Sequence, residues 1–307
     1  MSKFILRRLA QSAFLVVGVA VIVFCIVRFI PGDPALLMAA PGTPKQAIEG
    51  YRTLFGLDKP FGVQLITYLS KLAHGDFGTS FRYQTATLPI VLQRLPNTLR
   101  LTSLGLFIAL LIAIPLGVEG ARRRGSWIDR FGLVLSIAGQ SLPVFWVGLL
   151  LVLVFAVHLR LLPAIGSVGW KSIVLPALTL ALAVLPPLLR IVRTQMIDVL
   201  SQDYIMTARV FGLSSPRIYY WYALKNASIG LVTVLGVQIG YLIGGSIVVE
   251  MIFNYPGVGM LMMNSLNARD FPMIQTIAIV VSVTFVLINL LVDLIYGLLD
   301  PRIHVEG

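Results

Sequence analysis

Charged residues are scarce in this sequence. Asp, Glu, Lys and Arg make up 12% of the 307 residues, and hydrophobic residues make up 57%. Soluble globular domains carry about 25% charged residues. A chain this poor in charge cannot have water as its main solvent, so the composition predicts an integral membrane protein.

The sequence has only one cysteine, and it lacks the common catalytic motifs. The single Cys25 excludes a disulfide framework and a cysteine-based metal site, and no histidine has a ligand-like companion nearby. There is no Gly-x-x-x-x-Gly-Lys-Ser/Thr phosphate loop, no His-Glu-x-x-His run and no nucleophile beside a basic partner. We therefore predict a protein that is no enzyme, binds no metal and holds no cofactor of its own.

Long apolar runs are abundant. A bilayer core about 30 Å thick requires about 20 apolar residues in a helix. Six runs qualify, and they cover residues 9–30, 99–118, 131–158, 173–191, 229–249 and 274–299. We predict an all-α membrane protein with six transmembrane helices and one transmembrane domain over residues 1–307. Pro186 and Pro187 should kink the fourth helix.

Basic residues predict the orientation of these helices. If the N-terminus is cytoplasmic, the two short outer loops hold only Arg160, Lys171 and Arg269, and the cytoplasmic segments hold most other arginines. The positive-inside rule then favours cytoplasmic N- and C-termini. Anionic head groups at the inner face account for the net charge of +11 without nucleic acid.

The first outer loop, residues 31–98, is too long for a simple turn and mixes apolar with polar residues. We expect it to be partly ordered, with helical spacing of apolar residues over Leu65–Leu72 and a helix start near residues 95–98. The loop can lie on the membrane surface or serve as a docking surface, and the sequence leaves both open.

Small and polar residues within the runs suggest helix contacts. Gly236, Gly240 and Gly244 recur every four residues and predict a close-packing face. Gln140, Ser141 and Gln238 should face either a neighbouring helix or a water-filled path.

Charged residues within or near the runs require partners. Glu119 is expected to pair with Arg122, three residues on. Asp293 lies deeper, and pairing with Arg190 or Arg193 is favoured over a proton relay because no second carboxylate lies at that depth.

The cytoplasmic coupling segment, residues 194–226, contains the most informative pattern. Apolar residues at helical spacing predict a short helix over Tyr204–Phe211, capped by residues 201–203 and ended by Gly212 in a left-handed conformation. With Tyr204, Ile205 and Ala208 on its surface, this helix suits a groove in a partner protein. Alone, it could equally be an interfacial amphipathic helix.

This segment also resembles a known family. Residues 203–213, Asp-Tyr-Ile-Met-Thr-Ala-Arg-Val-Phe-Gly-Leu, and residues 223–227, Ala-Leu-Lys-Asn-Ala, resemble the coupling loop of dipeptide, oligopeptide and nickel permeases. These are a branch of the ATP-binding-cassette (ABC) importers, and the likeness is to the first of their two permeases. The Pro-Gly-Asp-Pro at 31–34, Gly-Asp-Phe-Gly-Thr-Ser at 75–80, Leu-Pro-Asn-Thr-Leu at 95–99 and the stretch 250–259 resemble the same branch in order and spacing.

The resemblance implies a function and partners. It implies a multi-pass subunit of the bacterial inner membrane that forms a translocation path for dipeptides, oligopeptides, glutathione, nickel complexes or a related solute. The partners would be a second, distinct homologous permease, two cytoplasmic ATPases that bind ATP and Mg, and an extracytoplasmic binding protein.

The resemblance also implies two contact sites. The coupling contact to the ATPase would comprise Asp203, Tyr204, Thr207, Ala208, Arg209 and Gly212. A scoop-like outer loop over residues 253–272 would approach the path or the binding protein through Asn254, Tyr255, Pro256, Gly257, Arg269 and Asp270. The alternative is a secondary transporter or channel independent of ATP, but the sequence lacks the inverted repeat or midplane charge cluster typical of one.

Overall fold

The computed structural model of this chain describes residues 2–29, 44–54, 58–166 and 169–299. The motif at 31–34 lies outside these residues. The helices are α1 (Ser2–Phe29), α2 (Lys45–Leu54), α3 (Phe61–Ala73), α4 (Thr87–Arg122), α5 (Trp127–Ser141), α6 (Val144–Leu151), α7 (Val174–Leu200), α8 (Asp203–Val210), α9 (Leu224–Ile252), α10 (Val258–Asn267) and α11 (Phe271–Leu299). Two π-helical stretches, Val152–His158 and Arg217–Ala223, extend α6 and precede α9, and a 3-10 turn, Trp170–Ile173, precedes α7.

Membrane-length helices dominate the described residues. Five are long and apolar enough to cross a bilayer, and a bent pair formed by α5 and α6 gives a sixth crossing if the two act as one span. The all-α membrane class is therefore confirmed. The cytoplasmic placement of both termini stays a prediction.

The third predicted helix, 131–158, is wrong as a continuous element. The chain breaks at Leu142 and Pro143, and the flanking helices are bent by 108°. Proline has no N–H for the helical ladder and disfavours helical backbone in the residue before it, and Leu142 is accordingly extended (φ −92°, ψ 127°). By contrast, α7 continues through Pro186 and Pro187 without a break.

The helix start predicted near residues 95–98 is also wrong. Helix α4 begins at Thr87 and runs through Pro96, so part of the predicted outer loop is helical. Asn97 and Thr98 do not cap a helix but bond to a distant turn, which is described below. The predicted helix over Leu65–Leu72 is confirmed within α3.

The chain divides into two compact units. The larger unit comprises Pro96–Met260 and the segment from Phe285 onward, and the smaller unit comprises Ser2–Leu95 and Leu261–Thr284. The single domain expected over residues 1–307 stays a prediction.

Helix α7 is the centre of the larger unit. It packs against α5, α6 and α9. Leu180, Leu188 and Met196 along its length are almost fully buried. Close approach of α4 depends on glycine, because a Cβ at Gly117 would lie 2.6 Å from the Val192 side chain. Large apolar side chains such as Phe107 and Ile137 stay exposed, as expected of helix surfaces that face lipid or another membrane subunit.

The smaller unit contains its own apolar contacts. Phe24 of α1 stacks on Tyr68 of α3 with ring centroids 5.1 Å apart, and Val27 packs with Phe271 and Ile274. Helix α3 leaves Phe61 and Ile66 exposed. Whether α3 lies on the membrane surface or docks a partner stays open.

Candidate functional site

The predicted coupling helix is present as α8. Gly212 follows it with φ +76°, the Gly212 N–H donates to the Arg209 carbonyl at 2.9 Å, and the Leu213 N–H donates to the Ala208 carbonyl at 3.2 Å. This bonding satisfies the last carbonyls of the helix, so the left-handed glycine end is confirmed. The side-chain cap expected from residues 201–203 is wrong: no side chain of Gln202 caps the helix, and the Ser201 hydroxyl donates to the Asp198 carbonyl.

The buried face of α8 differs from the predicted one. Ile205 is fully buried and Ala208 is 8% exposed, and both belong to the apolar core of the larger unit. The expectation that they lie on the helix surface is therefore wrong, whereas the role of Ala208 in the ATPase contact stays a prediction. These two side chains fix α8 to the membrane helices.

The opposite face of α8 is apolar and exposed. Met206, Val210 and Phe211 are 70%, 82% and 80% exposed, and we call them the docking patch. Met206 and Val210 are four residues apart and share one helix face. Large apolar side chains grouped on a surface outside the membrane-length helices are typical of a protein or membrane interaction site. The predicted contacts Asp203, Thr207, Arg209 and Gly212 are exposed around this patch.

A polar tether holds α8 to α9. The Asn226 amide nitrogen lies 2.7 Å from the Tyr204 hydroxyl. Tyr204 is 41% exposed, so its ring is still available to a partner. The role of Asn226 was not predicted, although the residue stands in the motif 223–227 that resembles the family.

Internal hydrogen bonds hold the turn after α9 in place. The buried Glu250 carboxylate accepts hydrogen bonds from the Thr98 hydroxyl at 2.6 Å and from the Met260 N–H at 2.9 Å. Thr98 accepts from the Val258 N–H at 2.8 Å, and the Asn97 amide donates to the Pro256 carbonyl at 2.9 Å. We call this network the turn node. Its members come from the motif 95–99 and from residues 250–260, which are far apart in sequence.

Two glycines make the turn node possible. A Cβ at Gly257 would collide with the Glu250 carboxylate, and a Cβ at Gly259 would lie 2.6 Å from Ile247 Cα and 2.9 Å from the same carboxylate. The Pro-Gly-Val-Gly sequence therefore gives the chain room to pass over a buried acid.

The turn node limits which predicted outer-loop residues a partner can reach. Gly257 is buried and Tyr255 is 6% exposed, so the turn node encloses both in this structure, and their contact role stays a prediction. Burial raises the pKa of Tyr255. Asn254 is exposed at a left-handed φ of +48°, and Pro256 is half-buried.

The smaller unit buries another predicted contact. Asp270 is 1% exposed and accepts hydrogen bonds from the Ser80 hydroxyl and from the N–H groups of Phe81 at 3.1 Å and Arg82 at 3.3 Å. It fastens the loop at residues 80–82 to the start of α11. Asp270 is thus engaged within its own unit and its contact role stays a prediction, whereas the neighbouring Arg269 is exposed.

Helix α11 packs closely against part of the glycine face of α9. A Cβ at Gly240 would lie 2.8 Å from the Phe285 ring, and one at Gly236 would lie 3.5 Å from Asn289, so α11 approaches closely at both positions. Gly244 has no such neighbour among the described residues, and its packing role stays a prediction.

A buried ion pair joins α5 to α7. Asp129 is 4% exposed, and its carboxylate accepts from Arg193 Nε at 2.5 Å, Arg193 Nη2 at 3.0 Å and the Gly125 N–H at 2.9 Å. Arg193 is thus engaged by Asp129, not by Asp293 as considered above. The predicted pair between Glu119 and Arg122 is confirmed at 3.3 Å.

The predicted path residues do not form one cluster. Gln140 and Ser141 are exposed at the end of α5, where the Ser141 hydroxyl donates to the Ile137 carbonyl, and Gln238 is half-buried in α9. Their role in a translocation path stays a prediction. Within the described ranges, no cluster of three His, Cys, Asp or Glu residues could hold a metal ion.

Two family descriptions match this chain. The family described as binding-protein-dependent transport system inner membrane component matches residues 93–305, and the N-terminal part of such membrane components matches residues 1–102. The glutathione transport system permease protein GsiC of Salmonella paratyphi A is 41% identical over 304 residues, which are 99% of each chain. GsiC of Escherichia coli is 39% identical with the same coverage.

Solved structures share the fold. Two inward-facing structures of the MetNI methionine ABC transporter match 69% and 70% of this chain, covering 96% and 98% of the matched chains. Their TM-scores are 0.56 and 0.60 at 19% and 18% sequence identity.

Proposed function

Because this chain belongs to the family of binding-protein-dependent transport system inner membrane components, we propose that its cargo is glutathione or a short peptide of similar size. The chain is a permease subunit of an ABC importer and a multi-pass protein of the bacterial inner membrane. It works with an ATPase, which is a separate subunit, and with a binding protein. Membership in this family sets aside the ATP-independent transporter. The full-length 41% identity to GsiC supports the proposed cargo.

The docking patch is the proposed contact with the ATPase. Met206, Val210 and Phe211 offer an exposed apolar face, while Ile205 and Ala208 fix the other face of α8 in the core. A helix fixed on one side and bound on the other moves with its partner as a rigid body, which suits alternating access driven by nucleotide. In this proposal two cytoplasmic ATPase subunits bind the ATP and Mg.

The remaining parts of the proposal concern topology and partners. Both termini are cytoplasmic, as the distribution of arginines favours. The second permease is a distinct homologue, and the open face of α9 at Gly244 offers it a surface for close helix approach. The binding protein meets Asn254 and Arg269, which are the exposed polar residues of the predicted outer loop.

An association experiment tests the docking patch. The chain is co-expressed with the other importer subunits, and the ATPase retained by the tagged permease is quantified for wild type and for Phe211→Asp. Placing a charge in an apolar contact should reduce retention about tenfold or more, because the carboxylate would be desolvated without a partner. Trp170→Asp is the matched control, since Trp170 is 74% exposed but remote in sequence from the patch. Equal retention by both variants would refute the proposed contact.

A transport experiment tests the cargo. The assembled importer is reconstituted in proteoliposomes with its binding protein, and ATP-dependent uptake is measured for labelled glutathione, a dipeptide and a nickel complex. We expect uptake of glutathione or the dipeptide and none of the nickel complex. Uptake of the nickel complex alone would reject the proposed cargo while leaving the assignment as an importer permease intact.

A further inference from the structure

A small cavity lies between α4, α5 and α7 in the larger unit. Its volume is about 100 Å³, and the buried Asp129–Arg193 ion pair forms part of its lining. Leu116, Leu189 and Ile137 line much of the remainder. The cavity therefore combines a polar side with an apolar wall.

Several polar groups at the cavity have no partner in the described chain. Ser136 is 9% exposed, and its hydroxyl makes no hydrogen bond there. The exposed guanidinium of Arg190 has no carboxylate within ion-pair distance among the described residues, since Asp129 is engaged by Arg193. Gln140 follows Ser136 by one helical turn and adds an exposed amide. The Ser136 hydroxyl and the Gln140 amide can therefore donate hydrogen bonds to a ligand in the cavity.

The size and shape of the cavity restrict the ligand. Sites that enclose a whole small molecule measure roughly 300–1,000 Å³, so this cavity can enclose one polar group but not a peptide. Leu133 and Ile137 of α5 line the cavity and are 40% and 69% exposed. An amphiphile can place its polar group inside and its hydrocarbon chain along these residues.

The charge of the surroundings restricts the ligand further. Arg122 ends α4, Arg123 and Arg124 follow it, and Arg130 lies in the first turn of α5, so this end of the two helices is strongly basic. In the proposed orientation it faces the cytoplasmic leaflet, which carries anionic lipids. An anionic group is the complement of Arg190 and of hydrogen-bond donors from Ser136 and Gln140.

We propose that this cavity binds the phosphate group of an anionic phospholipid from the cytoplasmic leaflet. Arg190 forms the ion pair with the phosphate, Ser136 and Gln140 donate hydrogen bonds, and an acyl chain lies along Leu133 and Ile137. The bound lipid joins α5 to α7, the helix that leads to α8. The inference rests on the proposed orientation but not on the proposed cargo.

Native mass spectrometry of the assembled importer tests this inference. The purified complex is titrated with dioleoyl phosphatidylglycerol and, separately, with dioleoyl phosphatidylcholine. We expect one phosphatidylglycerol to bind about tenfold more tightly than phosphatidylcholine, because the choline cation of phosphatidylcholine lies beside its own phosphate and repels Arg190. Arg190→Gln should reduce this preference to within about twofold. Arg130→Gln is the matched control, because it removes a nearby exposed charge that does not line the cavity, and it should keep the preference.

Three outcomes would overturn the inference. Equal binding of both lipids would mean that the cavity does not select an anion. Equal losses in Arg190→Gln and Arg130→Gln would indicate diffuse surface charge. Displacement of the lipid by glutathione would identify a substrate site instead. Because lipid binding is measured without transport, a failed uptake experiment does not affect this result, and a failed lipid experiment does not affect the assignment as a permease.

Discussion

The coupling helix α8 and the turn node are both short segments between membrane helices, but they differ in which side chains they bury. At α8 the chain buries Ile205 and Ala208 and leaves Met206, Val210 and Phe211 exposed. At the turn node it buries the polar Glu250 and Thr98 and satisfies them internally. The comparison separates a segment that leaves apolar side chains exposed, as the proposed ATPase contact requires, from a segment whose polar groups are satisfied internally.

The largest effect is expected from Glu250→Ala, which removes the acceptor at the centre of the turn node. The Thr98 hydroxyl and the Met260 N–H would remain buried without their acceptor. We expect a loss of about 3 kcal/mol or more in stability, measured by thermal unfolding of the purified complex in detergent. Glu119→Ala, at a half-exposed ion pair, should cost less than about 1 kcal/mol. Similar losses of stability in both variants would mean that the buried Glu250 network stabilises the protein no more than the Glu119 ion pair.

A smaller loss, about 2 kcal/mol, is expected from Gly257→Ala, because the new Cβ would collide with the Glu250 carboxylate. The double variant Gly257→Ala, Glu250→Ala is the informative one. With the carboxylate gone the collision disappears, so the double variant should be no less stable than Glu250→Ala alone. Additive losses in thermal unfolding would mean that Gly257 is required for another reason.

At the end of α8, Gly212→Ala should cost about 1 kcal/mol. The φ of +76° is unfavourable for alanine, although a Cβ there would have no neighbour within 4 Å. The readout is ATPase retention after mild heating, which should fall below wild type. Gly62→Ala, at a helical glycine of α3 with equally open space, should leave retention unchanged. If both alanine variants retain the same amount of ATPase, the left-handed backbone at residue 212 is not required for ATPase retention.

The smallest effect is expected from Tyr204→Phe, which removes the hydroxyl bonded to Asn226. An exposed hydrogen bond contributes about 0.5–1 kcal/mol. Substrate-stimulated ATP hydrolysis should fall modestly, and Asn226→Ala should add little in the double variant because the bond is already lost. Independent, additive losses would show that the tether does not operate as a pair.

The motifs were easier to locate than to interpret. The sequence predicted a short helix ended by Gly212, and α8 has that form. It placed Ile205 and Ala208 on the wrong face, because an eight-residue helix with apolar residues around its circumference has no unambiguous buried side in the sequence. Similarly, Tyr255, Gly257 and Asp270 were expected to meet a partner, but each is held inside its own unit.

The start of α4 was predicted wrongly because side chains that could cap a helix form hydrogen bonds with distant residues instead. Asn97 and Thr98 have the composition of a helix start, yet they bond to the turn after α9 while α4 passes through them. Asp129 was not considered as a partner for Arg193, because 64 residues separate the two in sequence. No local pattern reports a pairing of that kind.

The sequence by itself determined the membrane environment, the all-α class and the family, because each depends on composition, on runs of apolar residues or on the order of local motifs. Only the tertiary structure decided which face of α8 is exposed, that Glu250 is the centre of the turn node, and that the third apolar run bends at Pro143. These features depend on which distant surfaces meet, and hydrophobic periodicity describes one helix at a time.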